Sequence, residues 1–246
     1  MPHPPIFSSG PDGNVDRAFQ DLRSVGFNQF EKIYVLSRGH VTGVESPRQD
    51  GRITQVINAQ ELAAKFMDIG GMRDAIRAEF EPVLRNPNGG RADYRTCLRL
   101  LSCETGVEPD NPLEIYSTRS AKSYLHDFAN QIGKQLITTL TQLEKQYPDA
   151  YRKSSLSLRI SLQAPKGWSL LMPSGENVVY QSDSAHEQAA DKAAKIAYTK
   201  SETKAQMYAD EKITPFIKSN DQKKLTLTVR IDKFPDGHPY GEITEA

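Results

Sequence analysis

The sequence has little of what marks zinc-binding, disulfide-bonded or membrane-spanning proteins. Its 246 residues include two cysteines, one tryptophan and no apolar run approaching the ~20 residues of a membrane span. Cys97 and Cys103 form no Cys-x-x-Cys motif and no histidine pair lies near them, so no metal site is predicted. On one strand they would lie about 20 Å apart, too far for a disulfide. An oxidising compartment is therefore not required.

The sequence also has no excess of charge of either sign, since its 31 basic and 31 acidic residues give a net charge of zero. A nucleic-acid-binding protein usually has a basic excess, so no nucleic-acid partner is predicted. The start, MPHPPIFSSGPDGNVDR, has no basic region followed by an apolar core, so no cleaved secretory signal is expected. Residues 1–30 are predicted to be a flexible leader. We expect a cytoplasmic location in the producing cell, with export into host cells by a route without a cleaved signal left open.

Apolar periodicity in the first half predicts two strands with helices between them. The run KIYVL at 32–36 is typical of a buried strand, and residues 41–57 are predicted to be a loop with a short hairpin. Asn58 has the position of an N-cap, with Glu61 three residues on, so a helix is expected to begin there. A second helix follows, and residues 95–102 form the next predicted strand.

The second half contains the longest helical pattern, 118–147, which Pro148 is expected to stop. Strict alternation predicts strands at 155–162 and 225–231, and the apolar arms of 168–180 predict a hairpin. Alanine-rich residues 184–213 are predicted to be helical. The tail from 234 is predicted to be a loop.

Alternation of strands and helices predicts an α/β fold, with the early strands mostly parallel and the hairpin at one edge of the sheet. We expect residues 31–246 to form a single domain. Within it, residues 184–246 form a C-terminal helix–strand extension.

Two reactive side chains follow the two early strands. His40 comes after KIYVL, and Cys103 comes after LRLLS. Because sites in open α/β sheets form beyond the carboxyl ends of strands, neighbouring strands would bring both to one edge. An imidazole can favour the nucleophilic thiolate of a cysteine. The main-chain N–H groups of Gly39, Val41 and Cys103 are candidates for binding an oxyanion.

Simpler interpretations stand beside this one. A free cysteine is most often a small buried hydrophobe, and Cys97 is interpreted in that way. His126, on the long helix, is expected at the surface or its boundary. Trp168 is expected to anchor the hairpin in the core rather than to line a pocket.

The order of motifs resembles a known family from about residue 31 to 180. SRGH after a strand, the helix segment NAQELAAKF, and a strand entering LLSCETG resemble the clan CD, caspase-like cysteine peptidases. The chain is most similar to the self-processing cysteine protease domains of MARTX and clostridial glucosylating toxins, and to related bacterial effectors. His40 precedes Cys103 by 63 residues, a separation near that of caspase-like enzymes.

This resemblance implies a three-layer sandwich with helices on both faces of a mostly parallel sheet. It implies that Cys103 is the nucleophile, that His40 moves the protons, and that an upstream acid such as Glu31 orients the histidine. The partner would be a protein or peptide substrate, and no cofactor would be needed. The toxin domains are activated by inositol hexakisphosphate, for which the candidate ligands here are Arg152, Lys153, Arg159 and Lys166.

Two other functions remain open. The family usually has glycine directly after the histidine, whereas this chain has Val41. That departure favours a catalytically inactive, caspase-like interaction protein. The same dyad would also suit acyl transfer instead of hydrolysis.

Overall fold

The computed structural model describes residues 6–8, 15–29, 32–36, 38–40, 43–47, 53–101, 123–171, 177–180, 192, 202–212 and 224–246. The strands are β1 (Ile6–Ser8), β2 (Lys32–Leu36), β3 (Arg38–His40), β4 (Gly43–Pro47), β5 (Ile53–Ile57), β6 (Arg91–Leu101), β7 (Ser155–Pro165), β8 (Trp168–Leu171), β9 (Asn177–Tyr180), β10 (Lys224–Lys233) and β11 (Tyr240–Glu245). The helices are α1 (Val15–Val25), α2 (Ala59–Ala64), α3 (Met72–Leu84), α4 (Tyr124–Gln146), α5 (Pro148–Lys153) and α6 (Glu202–Lys212).

The fold is mixed α/β around an open sheet. Within the described residues this central sheet has the order β1-β2-β6-β7-β10-β11. Its first four strands are parallel, while β10 runs antiparallel to both β7 and β11. The expectation of mostly parallel early strands is therefore confirmed. Strand β10 continues the same sheet, as its alternating sequence predicted.

The two faces of the central sheet differ in polarity. Alternate residues of β6, β7 and β10 are buried on what we call the inner face, including Leu98, Leu162 and Leu227. The residues between them point to the outer face, where Arg95, Arg159 and Arg230 are register partners on adjacent strands. Since side chains alternate along a strand, this pattern shows an apolar face packed on a core and a polar face opposite.

One connected group of helices covers the inner face. Helix α3 packs on β6, and α4 packs on β7 and β10. Helix α2 contacts α4 and continues as a π-helical turn at Lys65–Ile69, on which α1 packs. The predicted start of α2 is confirmed, because Asn58 Oδ1 accepts a hydrogen bond of 2.9 Å from the main-chain N–H of Glu61. Helices on both faces of the sheet stay a prediction.

The prediction of a flexible leader over residues 1–30 is corrected by two elements. Strand β1 pairs in parallel with β2, and α1 buries Phe19 and Leu22 in the core. Gly26, with φ of +98°, ends that helix by donating its N–H to the carbonyl of Leu22 at 3.1 Å. Helix α1 is short, and the apolar side chains that dock it are few, so the surrounding polar residues obscured its pattern.

Two segments predicted as loops contain strands. Within residues 41–57, β4 and β5 pair antiparallel, and β3 joins them in a separate three-stranded sheet. The short hairpin expected there is confirmed, but the loop around it is smaller than predicted. The tail forms β11, which pairs with β10 after a turn containing Asp236 at φ of 55°. Its side chains are mostly exposed, so pairing with β10 rather than burial makes it a strand.

The predicted hairpin is confirmed as β8 and β9, with Trp168 opposite Tyr180. It forms a two-stranded sheet of its own within the described residues, so its predicted position at one edge of the central sheet is not confirmed. The side chain of Trp168 lies outside the described part of the structure. In the predicted helix 184–213, the structure describes α6 and Lys192. Pro148 ends α4 as predicted and also begins α5.

A buried lysine joins the end of β10 to α5. Lys233 is 1% exposed, and its Nζ lies 4.6 Å from the ring centroid of Tyr151. The same Nζ donates to the carbonyl of Tyr151 and, at 3.0 and 2.9 Å, to those of Arg152 and Ser154. These are carbonyls at the end of α5, where cations are favoured. Burial lowers the pKa of Lys233, against the opposing effect of Asp236 and Glu144.

The buried hydroxyl of Tyr151 should make the stability of the fold depend on pH in the alkaline range. It is buried without a hydrogen-bond partner, and burial, with a smaller effect of Glu144, raises the pKa of Tyr151 to about 12. In the unfolded chain a tyrosine ionises near pH 10. The contribution of Tyr151 to the stability of the fold is therefore complete below about pH 10, and it is lost as the pH rises towards the pKa of Tyr151 in the folded protein. Tyr151→Phe keeps the ring beneath Lys233 but has no hydroxyl to ionise. Above pH 10, the free energy of unfolding of the variant should therefore fall by up to about 2 kcal/mol less than that of the wild type.

Urea unfolding of both proteins at a series of pH values measures this difference. Near neutral pH the variant should be as stable as the wild type or slightly more so, because no hydrogen bond is removed. Tyr240→Phe is the matched control, since Tyr240 is 66% exposed. Parallel stability curves for wild type and Tyr151→Phe above pH 10 would contradict the prediction.

Candidate active site

The candidate site depends on how β2 and β6 lie relative to each other. They are adjacent and parallel, with Lys32 opposite Cys97 and Leu36 opposite Leu101. Adjacent strands are about 4.8 Å apart, so the two chains leave the sheet side by side at the same level. Both candidate reactive residues follow these ends, His40 four residues after Leu36 and Cys103 two residues after Leu101.

The structure places the backbone of His40 but not its side chain. His40 is the last residue of β3, where it lies opposite Gly43, and Gly39 lies opposite Val44. The chain therefore passes from the central sheet directly into the three-stranded sheet. Val41 and the candidate orienting residue Glu31 lie outside the described residues.

Cys103 also lies outside the described residues, together with the rest of 102–122. The distance between its sulfur and the imidazole of His40 is therefore not part of the described geometry. Cys97 is described, and it is a free, partly exposed thiol on the outer face. It lies mid-sheet, opposite Ser161 on β7, away from the strand ends.

A polar group that the sequence did not reveal lies on the outer face just before the strand ends. Tyr34, Arg99 and Gln163 are register partners on β2, β6 and β7. Arg99 Nη1 donates to the Tyr34 hydroxyl at 3.0 Å, and its guanidinium carbon lies 5.4 Å from the Tyr34 ring centroid. Arg99 Nε and Gln163 Oε1 are buried without hydrogen-bond partners.

Such a group can bind a polar main-chain or side-chain atom close to the strand ends, because buried donors and acceptors favour partners. The alternation of Arg95, Cys97 and Arg99 in β6 was the available signal for a polar outer face. Which residues of β2 and β7 stand beside Arg99 depends on strand register. The sequence does not specify that register.

The four candidate ligands of inositol hexakisphosphate do not converge. Arg152 and Lys153 are at the end of α5, Arg159 is in the middle of β7, and Lys166 follows its last residue. An eleven-residue strand spans about 36 Å, so the first and last of these cations lie at opposite ends of the sheet. Lys153 Nζ also donates to the carbonyl of Pro87 at 2.8 Å, and Lys166 lies 3.7 Å from Glu245. The described geometry gives them no common ligand.

His126 is buried rather than at the surface, which corrects that expectation. It is 8% exposed, and its Nδ1 lies 2.9 Å from Ser123 Oγ, while Nε2 lies 3.8 Å from Glu245. A serine, a histidine and a carboxylate in this order resemble a hydrolase triad, but Ser123 is fully buried just before α4. A nucleophile needs access to substrate, so we interpret this group as a polar anchor between α4 and β11.

The described residues contain neither a metal-binding cluster nor a membrane-spanning helix. No group of three or more histidine, cysteine or carboxylate residues is placed to hold a metal ion within that part of the chain. None of the described helices is long and apolar enough to span a membrane. No protein-family model, curated protein or solved structure matches the chain.

Proposed function

We propose that the protein is a thiol peptidase with a caspase-like, three-layer fold, belonging to a bacterial effector or to a toxin. One observation carries the proposal: β2 and β6 are parallel neighbours whose ends are level. The segments bearing His40 and Cys103 therefore start from adjacent points on one edge of the sheet. This is the edge at which open α/β sheets form their sites.

In the proposed mechanism, the Cys103 thiol transfers its proton to His40 and the thiolate attacks the scissile carbonyl carbon. Main-chain N–H groups at Gly39, Val41 and Cys103 stabilise the oxyanion. His40 then gives the proton to the departing amine, which leaves a thioester on Cys103. Water, activated by His40, hydrolyses the thioester and restores the thiol.

The test is the relative reactivity of the two thiols of the full chain. An unperturbed thiol with pKa near 8.5 is only about 3% ionised at neutral pH, so ionisation by His40 should raise reactivity strongly. Because a lower pKa also weakens the nucleophile, we expect Cys103 to react with iodoacetamide at least about tenfold faster than Cys97. Mass spectrometry of the digested protein after timed exposure measures both rates.

His40→Ala should reduce the rate at Cys103 to that at Cys97. His238→Ala is the matched control, because His238 is exposed in the turn before β11 and should have no effect. Equal and slow reaction of both thiols in the wild type would refute an activated nucleophile and favour an interaction protein.

A further inference from the structure

The outer face of the central sheet is basic, although the chain as a whole is neutral. Strands β2, β6, β7, β10 and β11 place seven basic and three acidic side chains on this face, which gives it a net charge of +4. The whole chain has 31 basic and 31 acidic residues. The balanced composition therefore conceals a face on which positive charge is concentrated.

Four of the seven cations on the outer face are exposed and unpaired. They are Lys32 on β2, Arg91 on β6, Arg159 on β7 and Lys224 on β10. Within the described part of the chain, none of these four side chains makes a hydrogen bond or an ion pair. Binding surfaces are complementary in charge to their partners, so this face suits an anionic partner.

Three arginines lie side by side across the middle of the outer face. Arg95, Arg159 and Arg230 are register partners on β6, β7 and β10, whose strands are about 4.8 Å apart. Like charges directly opposite one another destabilise a sheet. Arg95 lies 2.6 Å from Asp93, and Arg230 lies 2.6 Å from Asp232, so the outer two arginines are neutralised on their own strands. Arg159 lies between them without such a carboxylate, so the row favours an anion above its centre.

The same face presents an exposed aromatic ring. Tyr240 on β11 lies opposite Asp232, so it points to the outer face, and it is 66% exposed. Glu242, the third carboxylate of this face, lies 3.6 Å from Arg230. A second ring, that of Tyr34, lies against the guanidinium of Arg99 on the same face. An exposed ring beside a basic surface provides a flat apolar platform on which a nucleic-acid base can stack.

We propose that the outer face of the central sheet binds single-stranded nucleic acid, with phosphates over the arginine row and a base stacked on Tyr240. Arginine suits phosphate because its planar guanidinium can donate two parallel hydrogen bonds. An acidic peptide would explain the unpaired cations but not the exposed ring, whereas a single strand uses both. The net charge of the chain argued against a nucleic-acid partner because it sums over all surfaces. This binding does not depend on the proposed peptidase activity.

The test measures binding of the full chain to a fluorescein-labelled deoxythymidine oligonucleotide of about 16 residues by anisotropy, between about 50 and 200 mM salt. Each phosphate contact to a single strand contributes about −0.7 to the slope of log K against log salt, so the four unpaired cations predict a slope of about −3. Arg159→Gln should make the slope shallower by about 0.7 and weaken binding at 50 mM salt roughly five- to tenfold.

Tyr240→Ala should weaken binding at least about fivefold at every salt concentration and leave the slope unchanged, because a neutral ring releases no counterions. Tyr240→Phe keeps the ring and should bind as the wild type does. The two kinds of variant therefore separate contacts to phosphate from stacking of a base.

Lys134→Gln is the matched control. Lys134 is an exposed cation on α4, the helix that covers the inner face, so its loss should change neither the affinity nor the slope. No binding up to about 100 μM protein at 50 mM salt, or equal effects of Lys134→Gln and Arg159→Gln, would overturn the proposal. Tighter binding of decaglutamate would assign the face to an acidic protein. Tighter binding of phosphatidylserine vesicles would assign it to a membrane surface, and either result would also overturn the proposal.

Discussion

Cys103→Ala is expected to lower thiol-dependent peptide hydrolysis at least about 10³-fold. Alanine cannot form the thioester, so the covalent route is lost and only positioning of substrate by the rest of the site remains. The measurement is the appearance of new peptide termini in a mixture of unstructured peptides, followed by mass spectrometry. Each reaction is run with and without inositol hexakisphosphate.

Cys97→Ala is the matched control, since it removes the thiol that lies mid-sheet on the outer face. It should retain the wild-type rate, and His40→Ala should lose nearly as much activity as Cys103→Ala. Catalytic groups that act as a unit are not additive, so the double variant should be no slower than either single one. Hydrolysis that survives Cys103→Ala would refute the nucleophile.

If neither the wild type nor Cys103→Ala hydrolyses the peptides, with or without inositol hexakisphosphate, the inactive interaction protein is favoured. Transfer of an acyl group to an added amine, lost in Cys103→Ala, would assign the same dyad to acyl transfer. The thiol reactivity test separates these two results, because an acyltransferase needs the activated thiol and an interaction protein does not.

Local patterns predicted the elements that bury one regular face. Strand β7 was predicted because Leu156, Leu158, Ile160 and Leu162 alternate along a buried face, and they do so in the fold. The strand β11 was missed because it buries little and is held by pairing to β10, a contact between distant parts of the chain. The π-helical turn Lys65–Ile69 was missed for a related reason, since its extra residue per turn is not seen in a 3.6-residue period.

The candidate site shows the same division. The order and the parallel direction of the strands place the ends of β2 and β6 side by side, as the alternation of strands and helices in the sequence suggested. The group of Tyr34, Arg99 and Gln163 depends on strand register. A shift of one residue in the pairing of one strand would turn its side chain to the opposite face of the sheet, away from the other two. Register is not encoded in a local pattern.

Phe66→Ala is expected to destabilise the fold by about 3–5 kcal/mol. Phe66 is fully buried in the π-helical turn. Its ring centroid lies 4.9 Å from that of Phe19, 6.4 Å from Phe27 and 5.8 Å from Phe128. The first two pairs are edge-to-face, a geometry that adds about 0.5–1.5 kcal/mol per pair beyond burial. One ring therefore holds α1, the 3₁₀ turn and α4 together.

Urea unfolding monitored by circular dichroism measures the loss, and hydrogen exchange locates it. Because Phe19 lies on α1, the amides of α1 should lose protection more than those of β7, which pairs with β6 and β10 inside the central sheet. Phe234→Ala is the matched control, since Phe234 is 62% exposed and its removal should change stability by less than about 0.5 kcal/mol. A similar small change for Phe66→Ala would mean that α1 is held to the fold by contacts other than this cluster.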